Sequence, residues 1–127
     1  MRPFDTATTV ENGVIVLRLT GELDASDSPG LVEVFGALGT SAEGVVIDLS
    51  DCDFIDSAGI AAIVDAWRAH NENGGGSVAL AAPSGQVDRI IRITGLAAYI
   101  PVFIGLDEAL AAVPRDGMGS GNGPVSS

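Results

Sequence analysis

The spacing of apolar and polar positions changes character around residue 45. Val45, Val46 and Ile47 form a short run rich in β-branched residues, continued by Leu49, which predicts a strand buried on both faces of a sheet. Asp51, Cys52 and Asp53 follow, too polar to continue that interior, and read as an acidic turn. From Ile60 the spacing becomes helical: Ile60, Ile63, Val64 and Trp67 stand at i, i+3, i+4 and i+7. The run Asn73-Gly74-Gly75-Gly76 ends this helix, because glycine takes the left-handed conformation at little cost. Ser57 is thereby placed at a strand-to-helix junction, on the first turn. Unpaired backbone N–H groups and the helix dipole favour an anion there. The same position also suits Asp56 or Ser57 as an ordinary N-cap.

Upstream, residues 5–10 and 14–20 read as two strands of a hairpin joined at Glu11-Asn12-Gly13. The second has little alternation and is expected to be central. A loop, Gly21-Glu22-Leu23-Asp24, comes next. Ser28 as N-cap and Pro29 at the first helical position then open a helix with the stripe Leu31, Val34, Phe35 and Leu38, weakened by Gly36 and Gly39. Downstream, Val78–Ala82 reads as a strand closed by Pro83. Val87, Ile90, Ile91 and Thr94 mark a helix that Gly95 caps. Tyr99–Ile104 is expected to be a last strand, at an edge because it contains Pro101. Tyr99 and Phe103 are assigned to the core. Asp107 begins a closing helix, with Leu106, Leu110 and Val113 on its apolar side. The order is β-β-α-β-α-β-α-β-α: an α/β domain with a mixed sheet of about five strands and helices packed against it. Residues 1–113 form this domain. Residues 114–127, rich in Gly, Pro and Ser, are expected to be a flexible tail.

Charge narrows the functional classes. Among 127 residues there are 17 acidic and 6 basic ones, giving a net charge of −11, and no Lys is present. A nucleic-acid binder needs a basic face, so no direct nucleic-acid partner is expected. The lack of Lys removes a Walker-type lysine and a Schiff base. One Cys and one His cannot make a Cys/His zinc site. Cys52 reads as a partly buried free thiol. With no signal-peptide pattern and no apolar run near 18 residues, a cytoplasmic protein without membrane association is expected.

Ser57 as a hydrolytic nucleophile would need a base, and the sole histidine, His70, lies 13 residues on, roughly 20 Å along the same helix. His70 itself is expected at the surface, near the helix C-terminus. Asp24, Asp51, Asp53 and Asp56 offer oxygen ligands but no EF-hand spacing, so no obligatory metal is expected. Ligand sites of open α/β sheets lie beyond the carboxyl ends of the strands, where both Ser57 and the Gly21–Asp24 loop fall.

The segment Phe54–Gly59, FIDSAG, preceded by VVIDLS, resembles the signature of the STAS-domain anti-sigma factor antagonists of bacteria. LTGELD at Leu19–Asp24 resembles that family's early loop, and ITGL at Ile93–Leu96 its late element. The likeness covers about residues 5–113. It implies a STAS-like fold and a switch in which Ser57 accepts phosphate from a partner kinase; Ala58 leaves one acceptor in the motif. Partner binding would involve Glu22, Asp24, Asp56, Ser57, Ala58 and Gly59. The implied partners are an anti-sigma factor with serine kinase activity, whose capture releases a sigma factor, and a phosphatase. The kinase would supply ATP, Mg²⁺ and catalysis, making this chain a substrate without cofactor rather than an enzyme. The alternative is a non-phosphorylated STAS scaffold, a fixed subunit of a regulatory or transport complex.

Overall fold

Alternation along the strands sorts the core onto two faces of one sheet. The computed structural model describes residues 3–38, 44–72 and 74–113. Its sheet runs in sequence order, β1 (Asp5–Glu11), β2 (Val14–Leu23), β3 (Val45–Ile55), β4 (Val78–Ala81) and β5 (Val102–Phe103). β1 and β2 are antiparallel; β2 through β5 are parallel. The helices are α1 (Ser28–Ala37), α2 (Ser57–Glu72), α3 (Gly85–Thr94) and α4 (Leu106–Ala112). Ile15, Leu17, Leu19, Val45, Ile47, Leu49, Val78 and Leu80 face the larger cluster, with Leu31 and Phe35 of α1, Ile60 and Ile63 of α2, and Val87 and Ile91 of α3. Their strand neighbours Val14, Val16, Val46, Ala79 and Ala81 pack on Ala109, Leu110 and Val113. Three helices thus cover one face and α4 the other, so β3 is buried on both sides as its β-branched run requires. Past Val46, the next residue toward the α4 side is Asp48, only 2% exposed. Arg18 Nε donates to its carboxylate at 3.3 Å and the Ser50 N–H at 3.0 Å. A buried carboxylate persists only with such partners.

Several boundaries differ from the sequence expectations. Asp27, rather than Ser28, is the N-cap of α1, because a 3₁₀ turn at Ala25–Asp27 already has helical backbone. β4 ends at Ala81 rather than Ala82, whose φ of 59° breaks the strand. The last strand is only Val102–Phe103, since Leu96–Ala98 forms a 3₁₀ turn after the left-handed Gly95 cap. It is the edge strand, as Pro101 indicates. Tyr99 is not in the core. It is 65% exposed, with its ring 6.4 Å from that of Trp67, and Ile100 fills the interior instead. Phe103 is half-buried against the α4 cluster. Gly39, Asn73 and the expected tail at 114–127 lie outside the described residues.

His70 is also corrected: it is buried, 5% exposed, not a surface residue. Gly59, Ile60, Ala62, Ile63, Ala66 and His70 form the buried stripe of α2, while Val64 and Trp67 sit at its half-buried flank. Small residues carry the centre of the stripe, so weighting by large apolar side chains rotates the expected face away from His70. The His70 ring meets Phe35 of α1 edge-on at 5.7 Å, and Gly75 lies so close that a Cβ there would overlap the imidazole. His70 Nε2 has no hydrogen-bond partner among the described residues.

Burial pushes the His70 imidazole below its ordinary range, opposed in part by a hydrogen bond with the Gly76 backbone. Above the unfolded value of about 6.5 both states are neutral; as pH falls through it, the unfolded chain takes up the proton first and stability declines. Urea unfolding between pH 7 and 5 should therefore show a steeper loss of midpoint in the native protein than in His70→Phe, which keeps a ring without the titration.

Candidate functional site

β2 and β3 outrun the rest of the sheet. β4 pairs with β3 only from Val45 to Asp48, whereas β2 follows it as far as Leu23 opposite Ile55. Residues 49–55 of β3 and the end of β2 therefore form a two-stranded arm projecting past the carboxyl edge of β4. The expected acidic turn at Asp51–Asp53 and the expected loop at Gly21–Leu23 are both strand. Polarity did not end β3 because the arm needs only one packed side: Cys52 and Ile55 are buried, while Asp51, Asp53 and Phe54 are exposed. Register shifts between Arg18 and Thr20 and between Gly21 and Glu22, with Gly21 at φ 83°, adjust β2 along this arm.

At the tip, the chain turns directly from Ile55 into α2. The Asp56 N–H donates to the Leu23 carbonyl at 3.4 Å, and its carbonyl accepts from the Ile60 N–H at 3.0 Å. The Asp56 carboxylate accepts from the Gly59 N–H at 2.7 Å, an N-cap to the third helical residue. Ser57 is the first helical residue and is exposed. Gly59 is buried against β2: a Cβ there would stand 2.5 Å from the Leu23 carbonyl oxygen and 2.8 Å from Ile55 Cγ2. On the other side of β3, where β4 is missing, Gln86 of α3 substitutes for a strand. Its Oε1 accepts from the Ile55 N–H at 3.0 Å and its Nε2 donates to the Ile55 carbonyl at 2.7 Å.

Asp24 closes the neighbouring end of β2. Its Oδ1 accepts from the Ser26 hydroxyl at 2.6 Å and the Ser26 N–H at 2.9 Å, and its own N–H donates to Asp27 Oδ2 at 3.1 Å. The Ser26 hydroxyl, then the Ser26 N–H, hold the Asp24 carboxyl below the usual range, so it is charged at neutral pH. Asp24 and Ser57 are exposed, Glu22, Asp56 and Ala58 half-buried, and Gly59 buried. Five of the six sequence-picked residues thus offer surface at the ends of two adjacent strands, and the sixth packs the junction. Phe54, opposite Glu22 in register and 39% exposed, adds an apolar side chain that the sequence reading passed over. Gln86 was missed as well. A polar residue near the start of an amphipathic helix reads as surface, and no local spacing signals a partner 31 positions away.

The buried His70, thirteen residues beyond Ser57 on α2, gives the serine no base. Among the described residues, no group of three or more His, Cys, Asp or Glu side chains could hold a metal ion, and Asp24, Asp51, Asp53 and Asp56 do not converge. Among the described residues no helix is long and apolar enough to cross a membrane.

The family model described as STAS domain matches residues 5–109. The chain belongs to the STAS domain family. An anti-sigma F factor antagonist of Paenibacillus polymyxa is 29% identical to this STAS domain over 93 residues, covering 72% of this chain and 79% of the relative. An anti-sigma factor antagonist from Mycobacterium paratuberculosis superposes with a TM-score of 0.72 at 30% identity, over 87% of this chain and 94% of that one. A STAS-domain anti-sigma factor antagonist protein from Planctomyces limnophilus does so with a TM-score of 0.69 at 25% identity, over 87% and 98%.

Two substitutions test how this STAS domain builds its junction. Gly59→Ala forces the new methyl against backbone, and should lower unfolding stability by about 1–3 kcal/mol. Asp56→Ala removes the cap alone, and should cost about 1 kcal/mol. Urea unfolding followed by far-ultraviolet circular dichroism checks both.

Proposed function

We propose that this STAS domain is an anti-sigma factor antagonist whose binding is switched off by phosphorylation of Ser57. The observation that carries the reading is an exposed serine hydroxyl at the first residue of α2, on the tip of the β2–β3 arm, in a chain whose relatives include anti-sigma factor antagonists. In the unphosphorylated form, Glu22, Asp24, Asp56, Ser57 and Ala58 dock onto a cytoplasmic anti-sigma factor of the Ser/Thr kinase type, and the sigma factor is released. Gly59 serves by letting α2 approach Leu23. The kinase transfers the γ-phosphoryl group of ATP to Ser57 Oγ: the new O–P bond replaces the bond to ADP, and the hydroxyl proton goes to the kinase. A phosphatase resets the switch. The chain is the substrate in this cycle and not an enzyme.

The physics of the tip supports such a switch. The N–H groups of Ser57 and Ala58 have no partner within the helix, and the dipole favours negative charge there, so α2 accommodates a phosphate without unwinding. The phosphate adds about −1.5 to −2 charges beside Asp56. A mismatch of about 3 kcal/mol in the docked face weakens binding on the order of a hundredfold.

Incubation of the full chain with ATP, Mg²⁺ and lysate of its own cells, followed by phosphosite mapping, should give phosphate on Ser57 and none in Ser57→Ala. Circular dichroism of the two forms should superimpose. An unmodified Ser57, with a control substrate showing active lysate kinases, would replace the switch by the fixed-subunit reading, in which the domain is a constitutive scaffold.

A further inference from the structure

We infer that Gln86 is a positioning residue for Ser57: its side-chain amide stands in for the absent fourth-strand ladder and fixes the strand end that presents the serine to the kinase. This rests on the phosphorylation reading above and adds to it the element that controls how the acceptor is held.

A two-stranded ribbon is marginal by itself in water, and this one is held by the packing of Leu23, Cys52 and Ile55 into the core together with the hydrogen bonds along its edges. Among the described residues β3 has no strand neighbour on the β4 side beyond Asp48, and its last residue, Ile55, still carries an N–H and a carbonyl directed there. Gln86 satisfies both at once, at 3.0 Å and 2.7 Å, in the paired donor and acceptor geometry of a strand neighbour. The side chain is aimed by its own turn. After β4 the chain passes through Ala82 at φ 59° and enters α3 at Gly85 with φ 55°, and the Ser84 carbonyl accepts from Val87 and Asp88, starting α3 beside the arm. Ile55 is two residues from Ser57 and packs its Cγ2 where Gly59 closes on β2. The Ile55 peptide groups are therefore held from β2 by the ladder and from α3 by Gln86. Without Gln86 one of these supports is gone, and the arm tip can shift relative to the sheet while Asp56 still caps α2.

Phosphoryl transfer is sensitive to such a shift, because its catalysis rests largely on positioning and the acceptor hydroxyl must stand in line with the γ-phosphoryl group. Of the docking side chains, Glu22 and Asp24 lie on β2 and its following turn, outside the Gln86 contact, while Asp56, Ser57 and Ala58 lie on the tip and keep the Asp56 cap. Loss of the clamp should thus lower kcat more than it raises KM.

The test uses the full chain, the kinase activity fractionated from lysate of its own cells, ATP and Mg²⁺, with wild type, Gln86→Ala and Gln86→Glu compared by initial rates at Ser57. Gln86→Ala should lose on the order of tenfold to a hundredfold in kcat, with KM within about threefold. Gln86→Glu can still accept from the Ile55 N–H but no longer donates at neutral pH, and should also fall below wild type. In parallel, hydrogen exchange of the Ile55, Asp56 and Gly59 amides in Gln86→Ala should accelerate on the order of tenfold, with the Val16 and Ile47 amides unchanged. Wild-type rates in a folded Gln86→Ala, or rate losses that only follow the unfolded fraction, would overturn the positioning role. So would unchanged exchange at Ile55. If wild type itself receives no phosphate at Ser57, the switch reading fails instead, and the exchange measurement alone decides whether Gln86 clamps the arm.

Discussion

The Leu23 carbonyl oxygen leaves no room for a side chain at position 59, and the geometry of the Ser57 end follows from that contact. Gly59 lets α2 come down onto β2, and its own N–H donates to the Asp56 carboxylate, so the helix is capped from inside the turn. Because Asp56 is thus held, its N–H meets the Leu23 carbonyl and the backbone turns at once from strand to helix. Ser57 is left on the outside of that turn. The missing methyl group at position 59 therefore permits strand end, cap and hydroxyl to sit together, and Gln86 supports the strand end from the other side. An alanine at 59 must move backbone rather than a flexible side chain, which makes the contact hard to relax.

Electrostatics at this tip is finely divided between attraction and repulsion. The start of α2 carries partial positive charge, yet Asp56 already takes up the Gly59 N–H and brings a full negative charge of its own. Asp24, whose carboxyl the Ser26 hydroxyl holds below the usual range, lies at the end of the adjacent strand. In the proposed switch, a phosphate on Ser57 would be tolerated by the helix and opposed by the carboxylates, so its cost would fall on the docked partner rather than on the fold. This is the reason to expect a change in affinity without a change in architecture.

The sequence made some of this legible and hid the rest for identifiable reasons. The change from β-branched run to helical spacing at Val45–Trp67 located Ser57 correctly, since both periods are local. The hairpin at Asn12-Gly13 and the Gly95 cap were equally local, and both have the positive φ that such residues signal. Strand lengths were not local. Whether Asp51–Asp53 continues β3 depends on β2 running alongside, and composition alone favoured a turn. His70 was obscured because small residues, Gly59, Ala62 and Ala66, carry the centre of the α2 stripe, and Gln86 because its significance exists only once β4 stops short.

The same shortfall of β4 explains why the site lies where it does. Pairing β3 along its full length would leave its end flush with a neighbouring strand, with every peptide group engaged in the ladder. Ending β4 at Ala81 instead frees one side of the arm, and α3 enters that space with a side chain rather than a backbone. A side-chain clamp occupies a single residue, and Ser57 beyond it is exposed. It also couples the arm to a helix whose far end bears exposed Arg92 and Ile93, away from Ser57 in sequence and in chain direction. The arm is thereby anchored to the body of the sheet at Ile55 without burying the hydroxyl two residues later.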